Sequence, residues 1–357
     1  MQQSPGTDAD RTAPTPRRWR HRRHALIAAL VLPAVGAIGL TGCSKTPPTY
    51  RVTATVAVGK SVSGVAVDPG THTVYVTNGD DNTLSVIDAS TRTVTATVPV
   101  GKPFSGPEGV AVDPGTHTVY VTNYGVTVSV IDASTRTVTA TVPVSTGPGE
   151  NPAGVAVDPG THTVYVGRLQ TAAAHMGDYD GTVSVIDGPT RTVSATVTVG
   201  KQLHEVAVDP GTHTVYATNA QDNTVSVIDA STHAVVATVP VGKNPSGVAV
   251  DPGTHTVYVT NGDDGTVSAI DASTRTVSAT VPVGKHPAGV AVDPGTHTVY
   301  VANNRDNTVS VIDASTRTVS VTVPVGKHPG RVAVDPGTHT AYVTNGGDKT
   351  VSVIESR

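Results

Sequence analysis

Charged side chains interrupt a pattern that is otherwise uniform, and they are the first candidates for chemistry. Short Gly-Val-Ala-Val runs recur along the chain, but Glu205 and Arg331 replace the glycine in two copies, and His204 precedes the first of them. Polar groups at the mouth of a cavity can bind and orient a ligand. The alternative is that they are solvated surface charges, which are common. We take His204, Glu205 and Arg331 as candidate ligand contacts.

Insertions between copies of the pattern supply the other candidates. Long loops on a rigid scaffold commonly carry binding sites, although an insertion can also be a tolerated surface loop. The candidate ligand contacts in or beside the insertions are Phe104, Tyr124, Arg168, His175 and Tyr179. His175, Asp178 and Asp180 are only weak candidates for metal ligands, because the stretch lacks the spaced carboxylates and terminal Glu of a calcium loop. No metal site and no cofactor are therefore predicted.

Lysines precede the Gly-Val-Ala-Val strand in six copies. These candidates for an anion-binding rim are Lys60, Lys102, Lys201, Lys243, Lys285 and Lys327. A ring of cations can concentrate an anionic ligand. Aspartates in the adjacent loops would offset much of that potential, and lysines also keep a strand edge soluble. Aromatic residues for base stacking are scarce, at 3% of the chain, so nucleic acid is not the expected partner.

One histidine recurs in every copy, within the sequence Asp-Pro-Gly-Thr-His. The seven residues are His72, His117, His162, His213, His255, His297 and His339. A sevenfold arrangement would hold them too far apart for one tetrahedral metal site. We interpret them as turn residues. The nucleophile sequence Gly-Xaa-Ser-Xaa-Gly, the cysteine pair of haem attachment and a phosphate-binding glycine loop are all missing, which disfavours an enzyme.

The repeated unit predicts the architecture. Its Asp-Pro-Gly turns begin at Asp68, Asp113, Asp158, Asp209, Asp251, Asp293 and Asp335. A full copy, starting at Gly247, reads GVAVD-PGTH-TVYVTN-GDDG-TVSAID-ASTR-TVSATVPVG-KHPA. It holds four short β-branched runs bounded by turn residues, and Gly is expected to take the positive φ of the Asp-Pro-Gly turn. A period of about 40–45 residues with four strands is typical of a propeller blade, so we predict an all-β, seven-bladed β-propeller with four-stranded antiparallel blades.

Closure of the ring is predicted from the two ends of the repeat array. The seventh copy supplies only three strands, and residues 51–58 match the missing fourth. Pairing them would remove two open sheet edges, and we expect a monomer. The loops before each first strand and those between the second and third strands should share one face, here called the top face. The Asp-Pro-Gly-Thr-His and Asp-Ala-Ser-Thr-Arg turns should form the bottom face.

The second strand of each copy carries a family resemblance. Tyr75-Val76-Thr77-Asn78 and its equivalents at 120–123, 258–261 and 342–345 resemble the YVTN-family β-propeller repeat. Three copies depart from the motif, at Gly167-Arg168, Ala217 and Ala302. The resemblance covers residues 50–357 and implies an exported protein like those of bacterial and archaeal surface layers. The wider set of seven-bladed propellers includes lyases, lactonases and dehydrogenases, so the resemblance implies a fold more than an activity.

The N-terminal region reads as an export signal. A basic segment, residues 17–24, precedes an apolar run, residues 25–40, that is short for a membrane span. The run ends in Leu40-Thr41-Gly42-Cys43, which resembles the bacterial lipobox, in which the cysteine is lipidated and becomes the first residue of the mature protein. We predict lipidation at Cys43, which would anchor the protein to the outer face of a membrane.

The predicted organisation follows from these boundaries. Residues 1–42 form a signal peptide that is removed, residues 43–49 a lipidated cysteine and Pro-rich tether, and residues 50–357 the propeller. Residues 43–357 carry 18 Lys and Arg against 26 Asp and Glu, a formal net charge of −8, which disfavours general nucleic-acid binding. With one cysteine, the chain has no intrachain disulfide.

The sequence predicts a membrane-anchored, extracytoplasmic scaffold that binds a protein, a cell-wall component or a small molecule. The first alternative is a metal-assisted lyase or lactonase at the channel mouth, using His175 or His204 with Asp178, Asp180 or Glu205. The second alternative is binding of nucleic acid or another polyanion through the lysine rim.

Overall fold

Seven four-stranded antiparallel sheets, arranged as blades in a ring, make up the computed structural model of the protein. The structure describes residues 48–102, 106–125, 127–144, 150–170 and 180–357. The predicted all-β, seven-bladed β-propeller is confirmed. Five of the sequence candidates, Cys43, Phe104, His175, Asp178 and Tyr179, lie outside the described residues.

The first four blades take their strands in chain order. Blade 1 comprises β2 (Val62–Asp68), β3 (Thr73–Asn78), β4 (Thr83–Asp88) and β5 (Thr93–Pro99). Blade 2 comprises β6 (Pro107–Asp113), β7 (Thr118–Asn123), β8 (Thr127–Asp132) and β9 (Thr137–Pro143). Blade 3 comprises β10 (Glu150–Asp158), β11 (Thr163–Gln170), β12 (Asp180–Asp187) and β13 (Thr192–Lys201). Blade 4 comprises β14 (Leu203–Asp209), β15 (Thr214–Asn219), β16 (Thr224–Asp229) and β17 (Ala234–Pro240).

The last blade joins the two ends of the array. Blade 5 comprises β18 (Pro245–Asp251), β19 (Thr256–Asn261), β20 (Thr266–Asp271) and β21 (Thr276–Pro282). Blade 6 comprises β22 (Pro287–Asp293), β23 (Thr298–Asn303), β24 (Thr308–Asp313) and β25 (Thr318–Pro324). Blade 7 comprises β26 (Pro329–Asp335), β27 (Thr340–Asn345), β28 (Thr350–Ser356) and β1 (Tyr50–Ala57).

Pairing of β1 with β28 confirms the predicted closure. The antiparallel register runs from Tyr50 opposite Ser356 to Ala57 opposite Thr350, close to the predicted 51–58. Arg92 of blade 1 forms an ion pair with Glu355 of β28, so blade 1 also contacts the closed blade. Both edges that an open array would expose are thereby covered.

The Tyr-Val-Thr-Asn motif holds neighbouring blades together. Its tyrosine is almost fully buried and packs on the next blade, as Tyr75 does against Val119 and Val121. Its threonine donates to a backbone carbonyl of the next blade, as in the 2.7 Å bond from Thr77 to the Glu108 oxygen. The motif is therefore explained by packing and hydrogen bonding between blades.

Histidine and aspartate side chains form a second set of contacts between blades, here called the His–Asp belt. In each Asp-Pro-Gly-Thr-His turn the histidine Nδ1 bonds a carboxylate oxygen of the preceding blade, at 2.6–2.8 Å. The seven pairs are His72–Asp335, His117–Asp68, His162–Asp113, His213–Asp158, His255–Asp209, His297–Asp251 and His339–Asp293. Each aspartate side chain is almost completely buried. A buried carboxylate without a hydrogen-bond partner destabilises the fold, and the belt gives each of the seven a partner.

The turn itself corrects the sequence prediction. The positive φ falls on the histidine, at 51° for His72, whereas no glycine of these turns has a positive φ. Glycine is required for space, because a Cβ at Gly337 would lie 2.9 Å from the His72 imidazole. The Gly337 N–H also donates to Asp335, at 3.0 Å. The histidines are turn residues, as predicted, and they also connect blades, which was not predicted.

We expect removal of one belt histidine to destabilise the fold measurably. His297→Ala should lower the free energy of unfolding by about 1–3 kcal/mol, because it leaves the buried Asp251 carboxylate short of a partner. His286→Ala is the matched control, because His286 and His297 both have a φ of 52°. Replacing either histidine with alanine therefore has the same effect on the backbone at a positive φ. Equal losses in denaturant unfolding would contradict a stabilising role for the belt.

The predicted division into two faces is confirmed by hydrogen bonds between the loops. The backbone N–H of a rim lysine donates to an aspartate of the second-to-third-strand loop in five blades, at 2.7–2.8 Å. The pairs are Lys60–Asp81, Lys201–Asp222, Lys243–Asp264, Lys285–Asp306 and Lys327–Asp348. These aspartates therefore order the loops of the top face.

Within the part of the chain that the structure describes, no helix has the length and apolarity needed to span a bilayer.

Candidate binding site on the top face

The central channel is lined by backbone and valine side chains, with one charged pair. The channel contains a cavity of about 130 Å³. The residues that line this cavity are Gly64, Val65, Gly109, Val110, Val155, Glu205, Gly247, Val248, Gly289, Val290, Arg331 and Val332. Glycine recurs here because neighbouring blades approach closely, and a Cβ at Gly64 would lie 2.4 Å from the Glu108 carbonyl oxygen. Glu205 and Arg331 thus line the channel, whereas the sequence predicts a position near its mouth.

Glu205 and Arg331 form an ion pair across the channel. Glu205 belongs to blade 4 and Arg331 to blade 7, which are not neighbours, so their side chains meet over the axis. The side chains are only 16% and 24% exposed. Because this pair is largely withdrawn from water, removal of either partner would leave an uncompensated charge.

A second cavity adjoins the pair on the top face, and we call it the side pocket. It has a volume of about 200 Å³ and is lined by Glu108, Tyr124, Asn151, Pro152, Ala153, Leu203, His204 and Arg331. These residues come from blades 2, 3, 4 and 7, so the pocket exists only in the closed ring. Three sequence candidates, Tyr124, His204 and Arg331, meet here.

Tyr124 and Glu108 form one wall of the side pocket. Tyr124 follows β7 and is 43% exposed, and it lines the pocket together with Glu108. Partial burial, with a further contribution from the Glu108 carboxylate, raises the pKa of Tyr124 to about 12. The phenol is therefore neutral at physiological pH.

Burial shifts the two titratable groups of β14 in opposite directions. Burial lowers the pKa of His204, and the Arg331 guanidinium lowers it further, so the imidazole is neutral at pH 7. Burial raises the pKa of Glu205, Arg331 opposes that rise, and the Glu108 charge adds to it. The site thus combines a neutral imidazole, a carboxylate paired with a guanidinium and a second carboxylate in the same cavity as a phenol.

A compensating pair of residues forms the floor between blades 3 and 4. Leu203 stands where most other copies have proline, and it is fully buried. In blade 3, Gly167 replaces the threonine of the Tyr-Val-Thr-Asn motif, and a Cβ there would lie 2.3 Å from Leu203 Cδ2. The missing threonine contact is therefore replaced by leucine packing.

We expect Gly167→Thr to destabilise the protein by about 1–3 kcal/mol, because the added side chain overpacks against Leu203. The double variant Gly167→Thr/Leu203→Pro restores the residues of the common repeat and should recover most of the loss. Thermal unfolding of both variants checks this. No recovery in the double variant would show that the two positions are not coupled.

Two further candidates do not line the side pocket, although Arg168 lies opposite the lining residue Pro152 in the blade 3 sheet. Arg168, in β11, is only 6% exposed, and Asp180 lies exposed at the first residue of β12, opposite Lys201. Five of the rim lysines, all but the partly buried Lys201, have exposed side chains, and Lys285 lies 4.0 Å from Asp306. In the described ranges, no cluster of three or more His, Cys, Asp or Glu side chains could hold a metal ion.

Sequence reasoning missed Glu108, Asn151 and Leu203. Glu108 and His204 occupy the same position of the repeat, where five other blades have Ser, Ala or Gly. A comparison of every repeat position would have drawn attention to both. Asn151 carries no such signal, because it lies beside an insertion.

Fold and site together define a seven-bladed β-propeller with one asymmetric, charged pocket on its top face. A family model described as Lactonase, 7-bladed beta-propeller, matches residues 230–355. This segment includes Arg331 but none of the other side-pocket residues. No curated protein matches the chain.

Among solved structures, the chain is similar to Kuenenia stuttgartiensis hydrazine synthase. The TM-score is 0.70 at 20% sequence identity, and the alignment covers 83% of this chain and 96% of that one. At this identity, the similarity shows the propeller fold alone.

Proposed function

We propose that the protein is an exported, lipid-anchored β-propeller of the YVTN type that binds a ligand in the side pocket. The observation that carries the proposal is the convergence of Glu108, Tyr124, His204 and Arg331, from three blades, on one cavity. At the positions of Glu108 and His204 the other five blades have Ser, Ala or Gly, and at that of Arg331 all but blade 4 have Gly. A site built only from departures from the repeat is expected of a binding surface on a scaffold whose repeated residues maintain the fold.

A thermal-shift screen of small molecules and peptides against the purified protein tests ligand binding. Tyr124→Ala serves as the pocket variant. Because Tyr124 is 43% exposed, we expect its substitution to leave the core packing unchanged. We expect stabilising compounds whose effect disappears in Tyr124→Ala. Stabilisation that is equal in both proteins would place binding outside the side pocket and would overturn the proposal.

The anchor has its own test. Cys43→Ala should move the protein from the membrane fraction to the soluble fraction of an expressing cell, because two or more acyl chains are needed for durable anchoring. Mass spectrometry of the wild-type N-terminal peptide should find Cys43 diacylated. An unmodified Cys43, or membrane association that survives the substitution, would contradict lipidation.

A lactonase-type hydrolase is the second candidate function. The family-model match over 230–355 favours this function. The neutral His204 imidazole favours it too, because a neutral imidazole can accept a proton from water. In that reaction water adds to the lactone carbonyl and the ring C–O bond breaks to give a hydroxy acid. Turnover of simple γ- and δ-lactones that is lost in His204→Ala would support this function. Rates equal to spontaneous hydrolysis would exclude it for those substrates.

A further inference from the structure

The side pocket and the adjoining pair contain more acid than base. Two carboxylates, Glu108 and Glu205, lie beside one guanidinium, that of Arg331, which is already paired with Glu205. Arg331 lines both cavities, with Glu205 in the channel and Glu108 in the side pocket. Glu108 shares the pocket with Tyr124, but a neutral phenol does not compensate its charge.

His204 does not supply the second cation. Its imidazole is partly buried next to Arg331, and both effects favour the neutral form. A neutral imidazole offers one donor and one acceptor nitrogen. The pocket thus keeps an unbalanced negative charge at Glu108.

The remaining walls suit an apolar body with a cationic head. The Tyr124 ring is 43% exposed, and the face of an aromatic ring attracts cations. Pro152, Ala153 and Leu203 also line the pocket, where Ala153 is partly exposed and the other two are buried. An anion would instead face Glu108 and would have to displace Glu205 from Arg331.

We infer that the side pocket takes a small organic cation, an ammonium group carried on a compact apolar body. The cationic head lies against Tyr124 and Glu108, and the body lies beside Ala153. This inference rests on the proposed function, since it names the ligand class of the same site. It makes Glu108 a specificity residue, because its charge selects the cation over neutral molecules of the same shape.

Three probes of nearly the same shape and different charge test the inference. They are choline, its neutral carbon analogue 3,3-dimethylbutan-1-ol, and the anion 3,3-dimethylbutanoate. Affinities for the purified full-length protein are measured by NMR titration at low salt. We expect choline to bind at least about tenfold more tightly than the neutral analogue, and the anion to bind most weakly.

Variants assign the preference to named side chains. Glu108→Gln should lower the choline affinity about tenfold and leave the neutral analogue unchanged, while Tyr124→Ala should weaken both probes. Asp263→Asn is the matched control, because it removes an exposed carboxylate from the top face of blade 5 and should change the choline affinity less than about twofold.

The outcomes separate the ligand class from the proposed function. If the neutral or anionic probe binds as tightly as choline, and this binding disappears in Tyr124→Ala, the side pocket is supported as the binding site and the cation class is overturned. If Glu108→Gln leaves choline binding unchanged, or if none of the probes binds, the cation class is likewise overturned. If choline binds equally to wild type and Tyr124→Ala, both the cation class and the side pocket as the binding site are overturned.

Discussion

Arg331→Met should lower the free energy of unfolding by about 2–4 kcal/mol at pH 8, because it leaves Glu205 charged and unpaired in the channel. The loss should shrink on acidification. Burial raises the pKa of Glu205 above its ordinary 4.5, and removal of Arg331 raises it further. A carboxyl group whose folded-state pKa is raised takes up its proton first in the folded protein, so stability is gained as the pH falls through that pKa.

The neighbouring groups act in the same direction. The Glu108 charge raises the pKa of Glu205, and loss of Arg331 also removes an influence that lowers the pKa of His204. The difference in unfolding free energy between wild type and Arg331→Met, measured at pH 8 and at pH 5, should therefore be smaller at pH 5. A difference that does not change with pH would contradict the buried-charge explanation.

A double variant provides the control for Arg331→Met. Glu205→Gly/Arg331→Gly places at both positions the glycine that the other five blades carry. It removes both charges together, so its stability should lie within about 1 kcal/mol of wild type, allowing for the flexibility of glycine. A double variant as unstable as Arg331→Met would show that side-chain packing, and not charge pairing, causes the loss.

Val56→Asp should destabilise the protein by about 4 kcal/mol or more and expose the edge of blade 7. Val56 in β1 is 6% exposed and packs in a cluster with Val62, Val74 and Val351. A carboxylate there has no partner in an apolar cluster, and release of β1 uncovers an unpaired strand edge. Denaturant unfolding and size-exclusion chromatography should show a less stable protein with a fraction of aggregates.

Thr55→Asp is the matched control for ring closure. Thr55 is the adjacent residue of the same strand, and its side chain is exposed. Its substitution should change the unfolding free energy by less than about 1 kcal/mol. If both variants unfold at the same denaturant concentration as wild type, β1 does not contribute to the stability of the ring.

Much of the fold could be predicted because each blade repeats the same local signals. The β-branched runs, the turn residues and the spacing of 42 residues in three of the six intervals all indicate the same unit, and β1 matches the missing strand of blade 7. The contacts between blades were not predictable in the same way. The bond from His72 to Asp335 joins residues 263 positions apart, and only the closed ring brings them together.

The candidate site could be predicted in part. Glu205 and Arg331 were recognisable because each breaks a column of glycines, but their pairing depends on blades 4 and 7 facing each other across the axis. Glu108 was overlooked because it sits at the end of an insertion, although it departs from the Ser, Ala or Gly that five other blades have at this position. Its contact with Tyr124 comes from a loop that the sequence does not place.

Ligand selection by the side pocket is tested most directly by a crystal structure of the protein soaked with a mixture of cationic, neutral and anionic fragments. The other blades serve as internal controls, because they present the repeated residues at the equivalent positions. The prediction is a cationic fragment in the side pocket, between Tyr124 and Glu108, and no fragment at the equivalent positions of blades 5 and 6. An empty side pocket, with fragments bound at those repeated positions or elsewhere on the surface, would contradict it.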